Sequence, residues 1–241
     1  MTLSNTVLSG RTGRLERIWA ATCEGPTTFS SVAKVRPGIA FRRVDGTTTV
    51  HLRGVETRAT TLASPKGAEY YGAEFRLGAY LPAFPPTRLA NLRDATLPSL
   101  PGGRIRLAGE AWELPTPQNL DVFVDRLERA GLLVFDPMVE DALHGGVGSE
   151  RTAQTRFARA VGLSRRTLRV IGRAHEAVRR LRTGATISDV VADVGYYDQA
   201  HLTRALRQLI GHTPTELARG TVPFLDLGPA VPYKTGHDGR P

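Results

Sequence analysis

Read by the spacing of its apolar positions, the chain changes character near residue 117. Upstream, Phe29 to Val35, Ile39 to Val44, Thr48 to Arg53 and Glu74 to Leu77 are short runs rich in apolar or β-branched residues. Turn signals such as Arg36-Pro37-Gly38 and Asp45-Gly46 separate them, so the pattern predicts strands. Val44-Asp45-Gly46-Thr47 predicts a hairpin corner, because Asp-Gly tolerates the positive φ that such turns require. Pro82, Pro85, Pro86, Pro98 and Pro101 mark a loop or short-helix region covering one end of a small barrel. Past Pro115 and Pro117, Leu120, Phe123, Val124 and Leu127 fall at i, i+3, i+4 and i+7, which predicts a helix. Its stripe suits either packing on its own domain or a dimer seam, and the spacing leaves both open. From Pro137 to Gly220 the period is helical almost throughout. The tail from Gly228 to Pro241, rich in Gly and Pro, is expected to be loosely ordered.

The helical stretch contains a repeat. Residues 149–162 and 198–211, 49 positions apart, share one pattern. Ser149 and Asp198 open the copies as favoured N-caps, whose side-chain oxygens accept the free N–H groups of a first turn. Apolar positions then coincide: Ala153 with Leu202, Phe157 with Leu206, Ala160 with Leu209, Val161 with Ile210. Gly162 and Gly211 close them where a helix ends in the left-handed conformation. Beyond the stops, Ser164 matches Thr213 and Leu168 matches Leu217. Ahead of the second copy, Ile187, Val190, Val191 and Val194 form a short amphipathic helix and Gly195 turns the chain, giving a helix-turn-helix. Ahead of the first, Met138, Ala142 and Gly145 take the matching places, but Asp141 stands where Val190 would be buried.

Charge sharpens this picture. The chain carries a formal +9, and residues 149–219 hold 13 Arg against 6 acids, a surplus of +7, leaving +2 for the rest. Such a local surplus attracts phosphate backbones, although 29 Arg against 3 Lys also fits a bias in genome composition. No apolar run approaches the roughly 20 residues that span a bilayer. The N-terminus lacks a secretory pattern and the single Cys23 suits a reducing compartment, so the expected setting is the cytoplasm.

Gly195-Tyr196-Tyr197-Asp198-Gln199-Ala200-His201-Leu202-Thr203-Arg204, followed by Gly211-His212-Thr213-Pro214, resembles the signature of the AraC/XylS transcription regulators. The resemblance covers about residues 137–219. It implies an α+β chain: a β-rich, degenerate barrel-like domain, then an all-α domain of seven helices carrying two helix-turn-helix units. A central helix, about Arg165 to Arg182, would join the units. Glu74-Phe75-Arg76-Leu77-Gly78 resembles members with a degenerate N-terminal barrel, with Leu77 where those relatives often carry Pro. The expected organisation is a sensing or dimerisation domain at 1–117, a helical linker at 118–136, the double helix-turn-helix domain at 137–220 and a flexible tail at 221–241. By alignment with the family's contact positions, Gln199, Ala200, Thr203 and Arg204 on the second helix would read base edges. Glu150, Arg151, Gln154 and Thr155 correspond on the first. Arg156, Arg159 and Arg207 are expected to clamp phosphates, which fixes position without reading sequence. His201, just after the cap, is expected to pack locally.

The expected partners are double-stranded promoter DNA, RNA polymerase, a small-molecule effector and a second copy of the chain, with no membrane and no cofactor. The six His residues form no pair at ligand spacing, Cys23 has no partner cysteine, and no phosphate-binding, nucleophile-elbow or dinucleotide motif is present. Neither catalysis nor a metal is therefore expected. Glu24, Glu56, Glu69 and Glu74 are read as surface carboxylates. Two other readings of the N-terminal domain stay open: a ligand-free protein-docking module, and a barrel enzyme tethered to DNA.

Overall fold

The computed structural model describes residues 3–9, 13–92, 95–143, 150–222 and 226–231. The N-terminal part runs through β1 (Leu3–Ser9), β2 (Leu15–Cys23), β3 (Thr27–Ser31), β4 (Gly38–Val44), β5 (Thr47–Arg53), β6 (Thr60–Ser64), β7 (Glu69–Phe75) and β8 (Ala79–Tyr80). A short helix, α1 (Pro86–Leu89), precedes β9 (Thr96–Leu97), β10 (Ser99–Leu100), β11 (Arg104–Leu107) and β12 (Glu110–Glu113). Then come α2 (Leu120–Arg129) and β13 (Val134–Phe135). The helical part is α3 (Met138–Leu143), α4 (Glu150–Val161), α5 (Arg165–Arg182), α6 (Ile187–Val194), α7 (Gln199–Leu209) and α8 (Pro214–Ala218). The layout is α+β. Among the described residues, 137–220 holds six helices against the seven implied by the resemblance; 144–149 lie outside the description, and the Ser149 cap and Gly145 with them.

One antiparallel sheet, in the order β1-β2-β7-β4-β5-β9, organises the β part. The Asp45-Gly46 corner forms as expected, with φ of 48° and 76°, the two positive values a primed hairpin turn requires. Because side chains alternate across a sheet, the register sorts this one into two faces. On one face lie Ile39, Phe41, Val50, Leu52, Tyr71, Ala73 and Phe75, all buried. Against it packs the α2 stripe, Leu120, Phe123, Val124 and Leu127, at 0 to 3 % exposure. Phe123 meets Phe41 and Trp112 edge-on at 6.3 and 6.0 Å. The stripe is therefore part of the β domain's own core, which takes it out of use as a dimer seam. Each such fully buried Leu or Phe contributes about 2 kcal/mol.

The other face bears the rows Arg17–Glu74–Gly38–Arg53, Trp19–Gly72–Ala40–His51 and Ala21–Tyr70–Arg42–Thr49. It looks across to the β3–β6 ribbon. Small residues make its floor, and Gly72 is required there: a Cβ would come within 2.9 Å of the Trp19 ring.

The strand expected over Phe29 to Val35 ends at Ser31, where the chain leaves the ribbon. Val32, Ala33 and Val35 then bury themselves among α4, α5 and α7 in a single apolar cluster with the helices. The run expected over Glu74 to Leu77 is the end of β7, displaced toward Glu69. The tail departs from expectation over 226–231, while 223–225 and 232–241 of the stretch expected to be loose lie outside the described residues. Residues 226–231 are docked, with Val231 buried, Arg36 donating to the carbonyls of Pro229 and Ala230, and Arg179 donating to that of Gly228.

Candidate nucleic-acid interface

The second helix-turn-helix is built by local chemistry. Thr186 caps α6 by accepting from the Asp189 N–H at 3.1 Å, and Gly195 ends that helix at φ 80°. Asp198 caps α7, accepting the His201 N–H at 2.6 Å. Between them Tyr196 turns inward, and the α5 side chain Arg173 both stacks on its ring at 5.1 Å and donates to the Gly195 carbonyl at 3.1 Å. Burial pushes the Tyr196 phenol up to about 12, opposed only weakly by the Arg173 charge, so it stays protonated. His201 packs edge-on against Tyr196 at 5.3 Å, a local role as expected. The helix that carries the unit thus also holds its turn.

On α7, Leu202, Leu206 and Leu209 are buried, while Gln199, Ala200, Arg204 and Arg207 are exposed. Thr203 is half-buried, and its hydroxyl donates to the Gln199 carbonyl at 2.8 Å, so its polar atom is already used within the helix. One exposed residue next to this face, quoted in the signature but assigned no contact there, is Tyr197, 91 % exposed immediately before the cap. A large aromatic in a turn, with no apolar periodic partner, is the signal that marks it.

The first copy repeats the plan. Phe157, Ala160 and Val161 of α4 are buried, and Gln154, Thr155, Arg156 and Arg159 are exposed. The side chains of Glu150 and Arg151 lie outside the description. Arg156 is not a free clamp, since its Nε donates to Asp136 at 2.9 Å. The preceding helix α3 forms despite Asp141, because it buries Val139 and Ala142 and leaves Asp141 exposed. The hydrophobic phase has moved by one residue from the Met138 register.

Both glycine stops abut the β domain. Gly162 (φ 79°) lies against Pro86 of α1, and Gly211 (φ 88°) against Ala59 and Ser30. At the end of α7 the carbonyls of Gln208 and Leu209, which a helix leaves without internal partners, accept from the backbone N–H groups of Ala59 and Ala33 at 2.8 and 2.7 Å. Ser30 Oγ meets His212 Nε2 at 2.9 Å, and the buried His175 of α5 donates from Nε2 to the Ala33 carbonyl at 2.8 Å. The β domain thus holds the C-terminal end of α7 and leaves Gln199, Ala200 and Arg204, near its N-terminal end, open to solvent.

A cavity of about 320 Å³ lies between the second sheet face and the β3–β6 ribbon. Trp19, Phe29 and Tyr70 form its aromatic wall, and Lys34, Arg36 and Arg53 its basic side. Glu74, read above as a surface carboxylate, is instead buried here in a two-bond pair with Arg17, at 3.0 and 2.8 Å. Glu56, likewise, is paired with Arg53.

A family model described as a helix-turn-helix domain matches residues 148–220, from just ahead of α4 to just past α8. No curated protein and no solved structure matches the chain. Residues 148–220 are a DNA-binding helix-turn-helix domain, and among the described residues no helix is long and apolar enough to cross a membrane.

Proposed function

We propose that the chain is a sequence-specific transcription regulator of AraC/XylS type. In this reading α4 and α7 enter successive major-groove segments on one side of promoter DNA, and the N-terminal cavity takes a small effector. The observation that carries it is the repeated arrangement: two helices of one pattern, each stopped by a glycine against the β domain, with polar faces turned outward. The 18-residue helix α5 spans roughly 27 Å, a length suited to helices about 34 Å apart, one turn of the duplex. Arg204 and Gln199 have the donors and acceptors to pair with guanine and adenine edges, while Arg159 and Arg207 meet phosphates. The cavity, at the small end of the size range of ligand pockets, supports an effector over a ligand-free docking module. Glu74 and Asp226, the carboxylates at the cavity, are tied up by Arg17, which supports a binding role over a catalytic one.

Footprinting on DNA upstream of the chain's own gene and its neighbours tests the reading. The expected result is a salt-resistant protected stretch of roughly 15 to 20 base pairs. Protection that vanishes at moderate salt, or none at all, would overturn it.

A further inference from the structure

The tail puts a carboxylate into the cavity mouth. Asp226 lines the cavity, and its Oδ2 accepts from Arg17 Nη2 at 2.6 Å, beside the Arg17–Glu74 pair. Burial alone would raise the Asp226 carboxyl, but the Lys34 charge and the Arg17 hydrogen bond outweigh it and hold the group below the ordinary aspartate range. Gly228 crosses directly above the pair: a Cβ there would lie 3.2 Å from Glu74 Oε2 and 3.4 Å from Arg17 Nη2. The chain then continues over Arg36 and Arg179, so a segment that follows the DNA-binding domain is fastened to the wall of the N-terminal cavity.

Behind this polar mouth the cavity is walled largely by apolar and aromatic side chains, with His51 and Arg42 on the rows farther from Glu74. Trp19, Phe29 and Tyr70 surround a floor of Gly38, Ala40 and Ala21. A guest therefore meets aromatic faces inside and a cationic rim already satisfied by a carboxylate of the protein itself. An anion that pairs with this rim leaves no buried charge uncompensated when it takes that carboxylate's place, because one unpaired buried charge costs several kcal/mol. A neutral guest has no such exchange to make.

We infer that the cavity binds a small aromatic monocarboxylate, whose carboxylate replaces that of Asp226 beside Arg17 and Lys34 and so lifts residues 226–231 from the mouth. This rests on the effector reading above and names the ligand class and the displaced element. The wall that would feel the exchange is joined to α7: Lys34 and Arg36 follow Ala33, whose N–H caps α7 and whose carbonyl holds His175.

The test uses the full chain and titration calorimetry with phenylacetate and its neutral isostere phenylacetamide. Phenylacetate is expected to bind the wild type, and Asp226→Asn to bind it about tenfold more tightly because the tethered competitor is gone. The amide should bind more weakly and respond little to the substitution. Hydrogen exchange on the wild type gives a second readout that needs no variant: phenylacetate should deprotect residues 226–231 while the sheet stays protected. Equal binding of acid and amide, no binding of the acid, or unchanged exchange at 226–231 would each overturn the inference. So would an acid preference abolished by Arg42→Gln and untouched by Asp226→Asn, since the carboxylate would then sit at the opposite end. Footprinting on the same preparation separates the two readings. A protected operator without acid binding sinks only the ligand, and acid binding without any operator sinks only the regulator.

Discussion

His175 sits where the two halves of the molecule meet, and acid should loosen that junction through it. Its ring is 1 % exposed; Nε2–H donates to the Ala33 carbonyl, and Nδ1 has no hydrogen-bond partner among the described residues. Burial pushes the imidazole down to about 4; the Ala33 bond opposes the shift, and the charges of Arg179, Lys34 and Arg36 add to it. In the unfolded chain the ring titrates near 6.5. The folded state thus prefers the neutral ring, so the stability tied to it is complete above about pH 6.5 and falls as pH drops toward about 4. From these two values the loss between about pH 7 and about pH 5 is about 2 kcal/mol, approaching about 3 kcal/mol below pH 4. The assay is urea denaturation across this range for the wild type and for His175→Gln, whose amide can donate to Ala33 and does not titrate. The variant should lose about 2 kcal/mol less than the wild type over the same interval. Parallel pH profiles would refute the reasoning, because the acid sensitivity would then come from other groups.

Three further outcomes follow from the interface. On the proposed reading of α7, Arg204→Ala should weaken specific operator binding by about 1 to 3 kcal/mol in a gel-shift titration and, because the side chain is exposed, leave the melting temperature unchanged. Arg207→Ala should weaken all sequences alike and reduce the slope of log affinity against log salt by about one, read from titrations at several salt concentrations. Leu206→Ala, at a position with no exposure, should cost about 2 to 5 kcal/mol of unfolding free energy by denaturant titration and abolish DNA binding only through unfolding.

The elements that could be read from the chain are those whose causes are local. The Asp198 cap, the positive φ at Gly162, Gly195 and Gly211, and the Asp45-Gly46 corner each depend on residues a few positions apart, and each is present. The α7 stripe was equally legible, because a helix with one buried face repeats at 3.6 residues. β2 and β7 were not, or only at one end. They are central strands covered on both faces, so Trp19 and Ile18, or Tyr70 and Tyr71, are neighbours of similar polarity and the alternation disappears. Trp19 and Tyr70, the aromatic walls of the cavity, were missed for that reason, and Glu74 was misplaced because its partner Arg17 lies on an unrecognised strand.

By itself, then, the amino-acid order determined that this protein carries a repeated helix pair stopped by glycines, the second helix capped by Asp198, behind a β-rich domain, since capping, helix stops and amphipathic spacing act over less than one or two turns. Only the tertiary structure decided that the two parts are fastened together. Ala33 reaches Leu209, Ser30 reaches His212, Arg17 reaches Asp226, and the α2 stripe goes to its own sheet. These contacts join residues more than a hundred positions apart, or one element to a face that exists only once the sheet has paired. No periodicity within a segment encodes which distant surface will satisfy its last carbonyls or its buried charges.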